Sequence, residues 1–477
     1  MTDHYPLFLA GRWVDTHSKI QVRSPWDGSL VGTVARAGKE ELEEAAREAA
    51  RAFEWTRSVP TWEREGILSR AAEILERRAE EFAMTLVREA GKPIRFARAE
   101  VARAVHTLRL SSAQASRITG KIIPIDTAPW GKGKIGFVRY VPAGPVAAIS
   151  PFNFPLNLSL HKVGPAVAAG NPSVLKPATS TPITACKLAS LFEEAGAPPG
   201  WLSVVPCDRK LGSVLVEDSR FGVLSFTGSP AAGWKIRERA GRKKVALELG
   251  GNAAVILHED ADLDRAVPKI VLAAFGFAGQ SCISVQRILI HESIYGEASE
   301  RLYNAVKAVK AGDPMDEDTV VGPLITREAA DRVVDWIGKA REAGAKVLCG
   351  GEREGNLVQP TLLENVPRRA EVDRLEVFGP VANLHEYGDF EEALAQVNDS
   401  VYGLQAGVFT RDVERIFRAW EDLEVGGVVV NDVPTFRVDS MPYGGVKESG
   451  AGREGPEWAM EHMTEPRLLV LHRDWNP

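Results

Sequence analysis

A thiol behind a Gly-rich turn is the first feature of this chain that could do chemistry. Phe275-Gly276-Phe277-Ala278-Gly279-Gln280-Ser281-Cys282 sets Cys282 after small and polar residues and ahead of Ile283-Ser284-Val285. A free cysteine is otherwise a small buried hydrophobe. Here Gly279, Gln280 and Ser281 suit an exposed nucleophile better than a core position. A second candidate is Glu248, in Leu247-Glu248-Leu249-Gly250-Gly251-Asn252. An acidic group at an apolar strand end is costly unless paired or used, so it reads as a salt-bridged strand end or as a general base. The third is Asn153, in Ser150-Pro151-Phe152-Asn153-Phe154-Pro155, a loop that follows an apolar strand. Its amide could donate to a developing oxyanion or close an Asx turn before a helix. Gly450-Ala451-Gly452-Arg453-Glu454-Gly455 has GxGxxG spacing but reads as a decoy. No clear strand precedes it, and too little chain follows for the βαβ unit that a dinucleotide fingerprint requires.

The elements that must position these residues alternate in type. Strands are expected at 145–149, 173–175, 202–205, 223–226 and 245–247, with helical stretches between most of them. That alternation indicates a parallel sheet covered on both faces, which binds ligands at the carboxyl ends of its strands. A looser α/β pattern follows over 253–450, with strands at 253–257, 347–349 and 428–431. Helical periodicity covers 39–55, then runs unbroken from 67 to 82 until Gly91-Lys92-Pro93 stops it, then covers 96–110. The charges of this last helix read as a solvated face. Segments 121–125 and 136–140 suit a plain hairpin or an arm that reaches a partner subunit.

Composition bounds the function. At roughly 150 residues per unit, 477 residues make about three structural units. Lys and Arg number 58 against 64 Asp and Glu, a net charge of -6, so there is no global attraction for nucleic acid or an anionic membrane. Four scattered cysteines (Cys186, Cys207, Cys282, Cys349) without a CxxC pair argue against a disulfide framework or a structural zinc. They read as free thiols of a reducing, cytoplasmic compartment. The N-terminus lacks the basic start and apolar run of a secretory leader. The charge-free stretch 141–160 contains Pro142, Pro145, Pro151 and Pro155, which rule out one continuous membrane helix. No metal is implied: His291-Glu292 lacks the HExxH continuation. No GxSxG elbow is present, which argues against a serine hydrolase.

Seven motifs in order carry a family resemblance. They are Pro151-Phe152-Asn153-Phe154-Pro155, Leu175-Lys176-Pro177, Phe226-Thr227-Gly228-Ser229, Glu248-Leu249-Gly250-Gly251, Gly279-Gln280-Ser281-Cys282, Glu376-Val377-Phe378-Gly379-Pro380 and Pro442-Tyr443-Gly444-Gly445-Val446-Lys447-Glu448-Ser449-Gly450. With them the chain resembles the aldehyde dehydrogenase superfamily over almost its whole length. It looks nearest to lactaldehyde- and semialdehyde-type members that pass the acyl group to water. The resemblance implies an α/β fold with a Rossmann-like NAD(P)-binding domain (1–122 and 143–249) and an α/β catalytic domain (250–448). A small β bridging or oligomerisation arm would comprise 123–142 and 460–477. It also implies a homodimer or homotetramer, in which the run 467–471 could pair across the subunit interface.

The same resemblance assigns roles. Cys282 would attack the aldehyde, with Asn153 and the Cys282 backbone N–H holding the oxyanion. Glu248 would activate water against the resulting thioester, which disfavours coenzyme A as acceptor. Lys162 and Glu454 would form a second polar group beside that base. NAD or NADP would lie against Ser150, Phe152, Gly228, Ser229, Gly233 and Leu249. Lys176 would reach the adenosine ribose and Glu376 the nicotinamide ribose, with Phe378 beside the ring. Thr179 stands where NAD-preferring relatives often carry Glu, so a 2′-phosphate should be tolerated. Arg209 and Lys210 would add attraction or remain a solvated pair. His161, Ile283, Arg437 and Tyr443 would fall near the substrate entrance. Arg437 could pair with a substrate carboxylate or hydroxyl, or with Asp439 or another local acid. Ser281 replaces the Arg often carried by relatives that use phosphorylated three-carbon aldehydes. Small hydroxylated or acidic aldehydes such as lactaldehyde and succinate semialdehyde are therefore the candidates. A thiol acyl-hydrolase would leave Lys176, Ser229 and Glu376 without purpose, and a catalytically silent member would lack the nucleophile or the base.

Overall fold

A computed structural model describes residues 3–472. Its first sheet has eight strands, in the order Gly450–Ala451, Lys244–Glu248, Val223–Thr227, Val146–Ile149, Ser173–Lys176, Leu202–Val204, Leu7–Leu9 and Arg12–Val14. The five from Lys244–Glu248 to Leu202–Val204 run parallel. These are the strands expected from the sequence, with ends shifted by one or two residues. Helices cover both faces. Thr61–Arg77, Ala79–Ala90, Ile94–Ala115, Asn157–Ala169 and Pro182–Glu194 share one apolar core with the sheet. Lys39–Thr56, Arg209–Glu217 and Pro230–Arg239 close the opposite face.

The second sheet has seven strands, in the order Lys346–Cys349, Thr361–Glu364, Val381–Tyr387, Val285–His291, Ala253–Leu257, Gln405–Phe409 and Gly427–Val430. All but the first run parallel. Four of them are not evident in the sequence pattern. Val285–His291 shows why: Gln286 and Arg287 interrupt its apolar run, yet both are buried, because Arg287 donates to the carbonyls of Asn252, Gln396 and Val397. Backbone acceptors let polar side chains stand inside a strand that alternation rules do not recognise.

The helical pattern expected to run unbroken from 67 to 82 is two helices, Thr61–Arg77 and Ala79–Ala90, separated at Arg78 (φ -98°, ψ 17°). The charges of Ile94–Ala115 do not form only a solvated face either, since Glu100 is fully buried.

Three antiparallel strands, Lys121–Pro124, Lys134–Pro142 and Thr464–His472, make an arm. The run 467–471 is part of the edge strand of this sheet and is exposed. It pairs with Lys134–Pro142 of its own chain, Arg467 opposite Arg139. The C-terminal part of the arm starts at Thr464, because Met460 and Met463 belong to the first domain's core. Residues 473–477 of the expected arm lie outside the described residues. No described helix is long and apolar enough to cross a membrane.

Candidate active site

Cys282 sits between helix Leu263–Phe275 and strand Val285–His291, on a turn bent the wrong way for most side chains. Phe277 (φ 53°), Ala278 (φ 56°) and Gly279 (φ 66°) are all left-handed. A non-glycine residue held there costs on the order of 1–3 kcal/mol, strain that tends to gather at functional sites. Gly279 is required, because an added Cβ would lie 2.2 Å from the Gly379 carbonyl oxygen. Gln280 anchors the turn: its Oε1 accepts from Ile325 N at 2.9 Å, and its Nε2 donates to the Phe277 and Pro323 carbonyls at 3.3 Å.

Asn153 donates from Nδ2 to the Gln280 carbonyl at 3.0 Å. The oxyanion candidate and the nucleophile turn are thereby tied together. The second amide hydrogen of Asn153 and the backbone N–H of Cys282 make no hydrogen bond among the described residues. The loop carrying Asn153 is held from behind. Glu100 Oε1 accepts from Leu156 N (3.0 Å) and Asn157 N (3.1 Å), and its other oxygen pairs with Lys92. Lys92 Nζ lies 3.8 Å from the Phe154 ring centre and 4.5 Å from that of Phe277, so one cation touches both loops. In the sequence Lys92 is only part of a helix stop, and Glu100 only helix surface. Two aromatics flanking a loop residue do not reveal a distant lysine.

Glu248 ends strand Lys244–Glu248 at 3% exposure, and neither carboxylate oxygen has a partner. Gly444 leaves room for it, since a Cβ there would lie 2.9 Å from Oε1. Burial, then the charge of Glu454, raises the Glu248 pKa well above the ordinary 4.5, against opposing pulls from Arg437 and Lys162. Glu454 is also buried but moves the other way. Lys162, His161 and Arg437 outweigh its desolvation and hold it at about 2. Lys162 Nζ reaches Glu454 Oε1 at 3.4 Å and donates to Thr227 Oγ1 at 2.7 Å. Two nearby carboxyls pushed apart in this way divide naturally into a base and a fixed charge.

Arg437 is bound up with the same group. Its Nη2 donates to Glu454 Oε2 at 3.1 Å, and its guanidinium carbon lies 3.7 Å from the Tyr443 ring centre. Nε is 3.7 Å from Asp439 Oδ1, while Nη1 makes no hydrogen bond among the described residues. The ion pair considered from sequence therefore exists, mainly with Glu454, and leaves Nη1 and Nε without a hydrogen bond among the described residues. His161 is buried and shares Asp439 Oδ1 with Arg103, at 2.8 and 2.7 Å. Burial, then Arg437, depresses the His161 pKa, against the pull of Asp439 and Glu454. Arg103 is a site residue that the sequence does not single out; nothing in its local pattern separates it from surface charges. Ile283 packs with Leu404 and Tyr443 beside Cys282.

The cofactor candidates line the carboxyl edge of the first sheet. Ser229 caps helix Pro230–Arg239, but its side chain accepts no capping hydrogen bond. Gly228 N donates to the Glu248 carbonyl at 3.0 Å, which fixes that turn against the base. A Cβ on Gly233 would lie 2.3 Å from Leu249 Cδ2, so glycine there lets the helix close on Leu249. Glu376 accepts from Gly251 N at 3.0 Å through Oε1, and burial raises it to about 7. Phe378 is left-handed (φ 47°), its ring edge-on to Phe152 at 5.8 Å. Ser150 Oγ accepts from Ser159. Lys176 is buried at the end of its strand, donating to the Pro177 carbonyl at 3.0 Å. Thr179 is exposed beyond it, and the charge of Arg209 acts on Lys176. A helix N-terminus with an idle cap hydroxyl and a carboxylate with an unused oxygen fit a pyrophosphate and a ribose diol. The described residues contain no cluster of three His, Cys, Asp or Glu side chains placed for a metal.

Known proteins match this architecture. The sequence model described as the aldehyde dehydrogenase family matches residues 13–469. The chain is 46% identical over 469 residues to 3-sulfolactaldehyde dehydrogenase of Priestia megaterium, covering 98% of each chain. It superposes on aldehyde dehydrogenase 21 of Physcomitrella patens, solved with the reaction product succinate, at a TM-score of 0.97, 42% identity and 99% coverage of each chain. Glyceraldehyde-3-phosphate dehydrogenase of Methanocaldococcus jannaschii, solved with NADP, gives a TM-score of 0.92 at 37% identity, over 96% of this chain and 100% of that one.

Proposed function

The chain belongs to the aldehyde dehydrogenase family and is an NAD(P)-dependent aldehyde dehydrogenase, and from that premise we propose that it oxidises a small aldehyde bearing a carboxylate or sulfonate. The reaction class passes through a cysteine thiohemiacetal and a thioester that water hydrolyses. In the proposed assignment Cys282 supplies the sulfur. A carbon–sulfur bond forms, and the carbonyl electron pair moves to an oxygen held by the Asn153 amide and the Cys282 N–H. The nicotinamide, when bound, supplies the acceptor for the hydride that leaves this carbon. Glu248 then takes a proton from the water that attacks the thioester, and the sulfur departs. Ser229 and the helix behind it would receive the pyrophosphate, Glu376 a ribose hydroxyl, and exposed Thr179 would admit a 2′-phosphate.

The free Nη1 of Arg437 carries the substrate assignment. Around it, Lys162, Arg103 and Arg437 face two ionised carboxylates, Glu454 and Asp439, while Glu248 and His161 are held toward their neutral forms. A guanidinium donor without a hydrogen bond, on the cation stacked over the ring that touches the thiol, favours an anionic substrate. The names of the sulfolactaldehyde relative and the succinate-bound neighbour agree with that chemistry. A charged hydrogen bond is worth about 1.5–3 kcal/mol. On that scale Arg437→Met should raise KM for succinate semialdehyde and sulfolactaldehyde roughly 10- to 100-fold, leaving propanal nearly unchanged. An equal rise in the KM for propanal sinks the assignment. Exposed Ile122 and Leu468 to Leu471 on the arm support a homodimer or homotetramer, which light scattering tests. Four unpaired thiols fit a reducing, cytoplasmic setting.

A further inference from the structure

We infer that Tyr443 is a catalytic residue of this chain: its hydroxyl, backed by the Arg437 guanidinium stacked on its ring, donates a hydrogen bond that holds the Cys282 sulfur as thiolate. This rests on Cys282 being the nucleophile and goes beyond the roles assigned above. Tyr443 Oη lies 3.0 Å from Cys282 Sγ, and the sulfur has no other hydrogen-bond partner among the described residues. The surrounding wall of Ile283 and Leu404 is apolar. A bare thiolate against such a wall is expensive. Burial raises the thiol from 9.0 to about 12 even with the Tyr443 hydrogen bond pulling it down, so removing that bond leaves the thiolate costlier still.

The direction of the hydrogen bond follows from the charge state. A thiolate has no proton to give, so the phenol must donate. Tyr443 is equipped to remain the donor, because burial and the nearby thiol push its own pKa well above the ordinary 10.0. The charged and titratable groups facing the sulfur divide clearly. Glu376 and Glu248 oppose a negative sulfur, whereas Tyr443 and Arg437 favour it. A cation over a phenol ring is attracted to its face and draws electron density from the hydroxyl, which strengthens it as a donor. The Arg437 guanidinium cannot drift from that face, since Glu454 holds Nη2 and Asp439 lies beside Nε. The ring is fixed too: Tyr443 N donates to the Glu454 carbonyl at 3.0 Å, and Glu454 N returns the bond at 2.6 Å. One segment thus delivers the donor to the sulfur and the carboxylate to Arg437. Phenylalanine would fill the same apolar space, so the hydroxyl marks a polar task.

The test is the pH profile of Cys282 alkylation by iodoacetamide in the full-length enzyme, where a carbon–sulfur bond forms, iodide leaves and the thiol proton passes to buffer. Labelling at Cys282 is read by peptide mass, with Cys282→Ala as background. Tyr443→Phe should move the midpoint up by about one pH unit and slow labelling near neutral pH about tenfold. Arg437→Met should move it the same way by less. Pre-steady-state acylation should slow in step with the labelling, while thioester hydrolysis keeps its rate. A Tyr443→Phe profile that superimposes on wild type in a folded protein overturns the proposal. Turnover that Cys282→Ala leaves undiminished overturns the nucleophile assignment beneath it.

Discussion

Glu100 and Glu248 are both buried carboxylates within the same site, and the fold treats them in opposite ways. Glu100 has every oxygen engaged, by Lys92 and by the N–H groups of Leu156 and Asn157. Glu248 has no partner at either oxygen. The satisfied carboxylate holds the Asn153 loop in place. The unsatisfied one keeps a raised pKa and the capacity to take a proton. Buried charge is scaffold where its hydrogen bonds close, and chemistry where they are left open.

The contrast can be tested at four depths. The deepest cut is Cys282→Ala, which should lower turnover by about 10⁴-fold or more while cofactor binding, followed by fluorescence titration, survives. Next is Glu248→Gln. Loss of a general base should slow steady-state turnover roughly 10²- to 10⁴-fold and leave a burst of NAD(P)H that Cys282→Ala lacks. Normal steady-state rates would remove Glu248 from the mechanism. Glu100→Gln should act on the other side. It strands Lys92 in the interior and should cost about 3–5 kcal/mol of stability, seen as a fall in Tm. An unchanged Tm would show that this pair is not scaffold. The smallest effect is in pH. The folded pKa of Glu248 is raised above its ordinary 4.5, so its contribution to stability is complete below that value and is lost as pH rises toward the folded pKa. Wild type should therefore lose Tm relative to Glu248→Gln as pH climbs above about 4.5, until the folded pKa is passed. Asp439 has the opposite sign: its pKa is lowered, so its stabilisation is present above 3.8 and disappears as pH falls. A flat difference across both ranges breaks the comparison.

The sequence shows the reactive side of this contrast better than the supporting side. Cys282, Glu248 and Asn153 stand in motifs whose residue types are odd for their places, and an acid ending an apolar strand is visible without coordinates. All five parallel strands of the first sheet are legible because both of their faces are apolar. Lys92, Glu100 and Arg103 are not. Their charges lie on helices or loops where a solvated side chain is the ordinary outcome, and only tertiary contact turns them inward. The same physics hides Val285–His291, whose buried Arg287 finds its acceptors on segments far away in sequence. The break at Arg78 is invisible because hydrophobic spacing continues in phase across it.

Gly450–Ala451 is a two-residue strand with a long reach. It returns from the far end of the catalytic polypeptide to border Lys244–Glu248, with Gly450 opposite Glu248. The chain is laced rather than laid out as two beads. Neither half is a cassette that recombination or truncation could lift out whole. Ending the polypeptide near residue 448 would strip the edge from the first sheet at the very strand that ends in Glu248. Such proteins can diversify by changing loops in place, but not by trading halves.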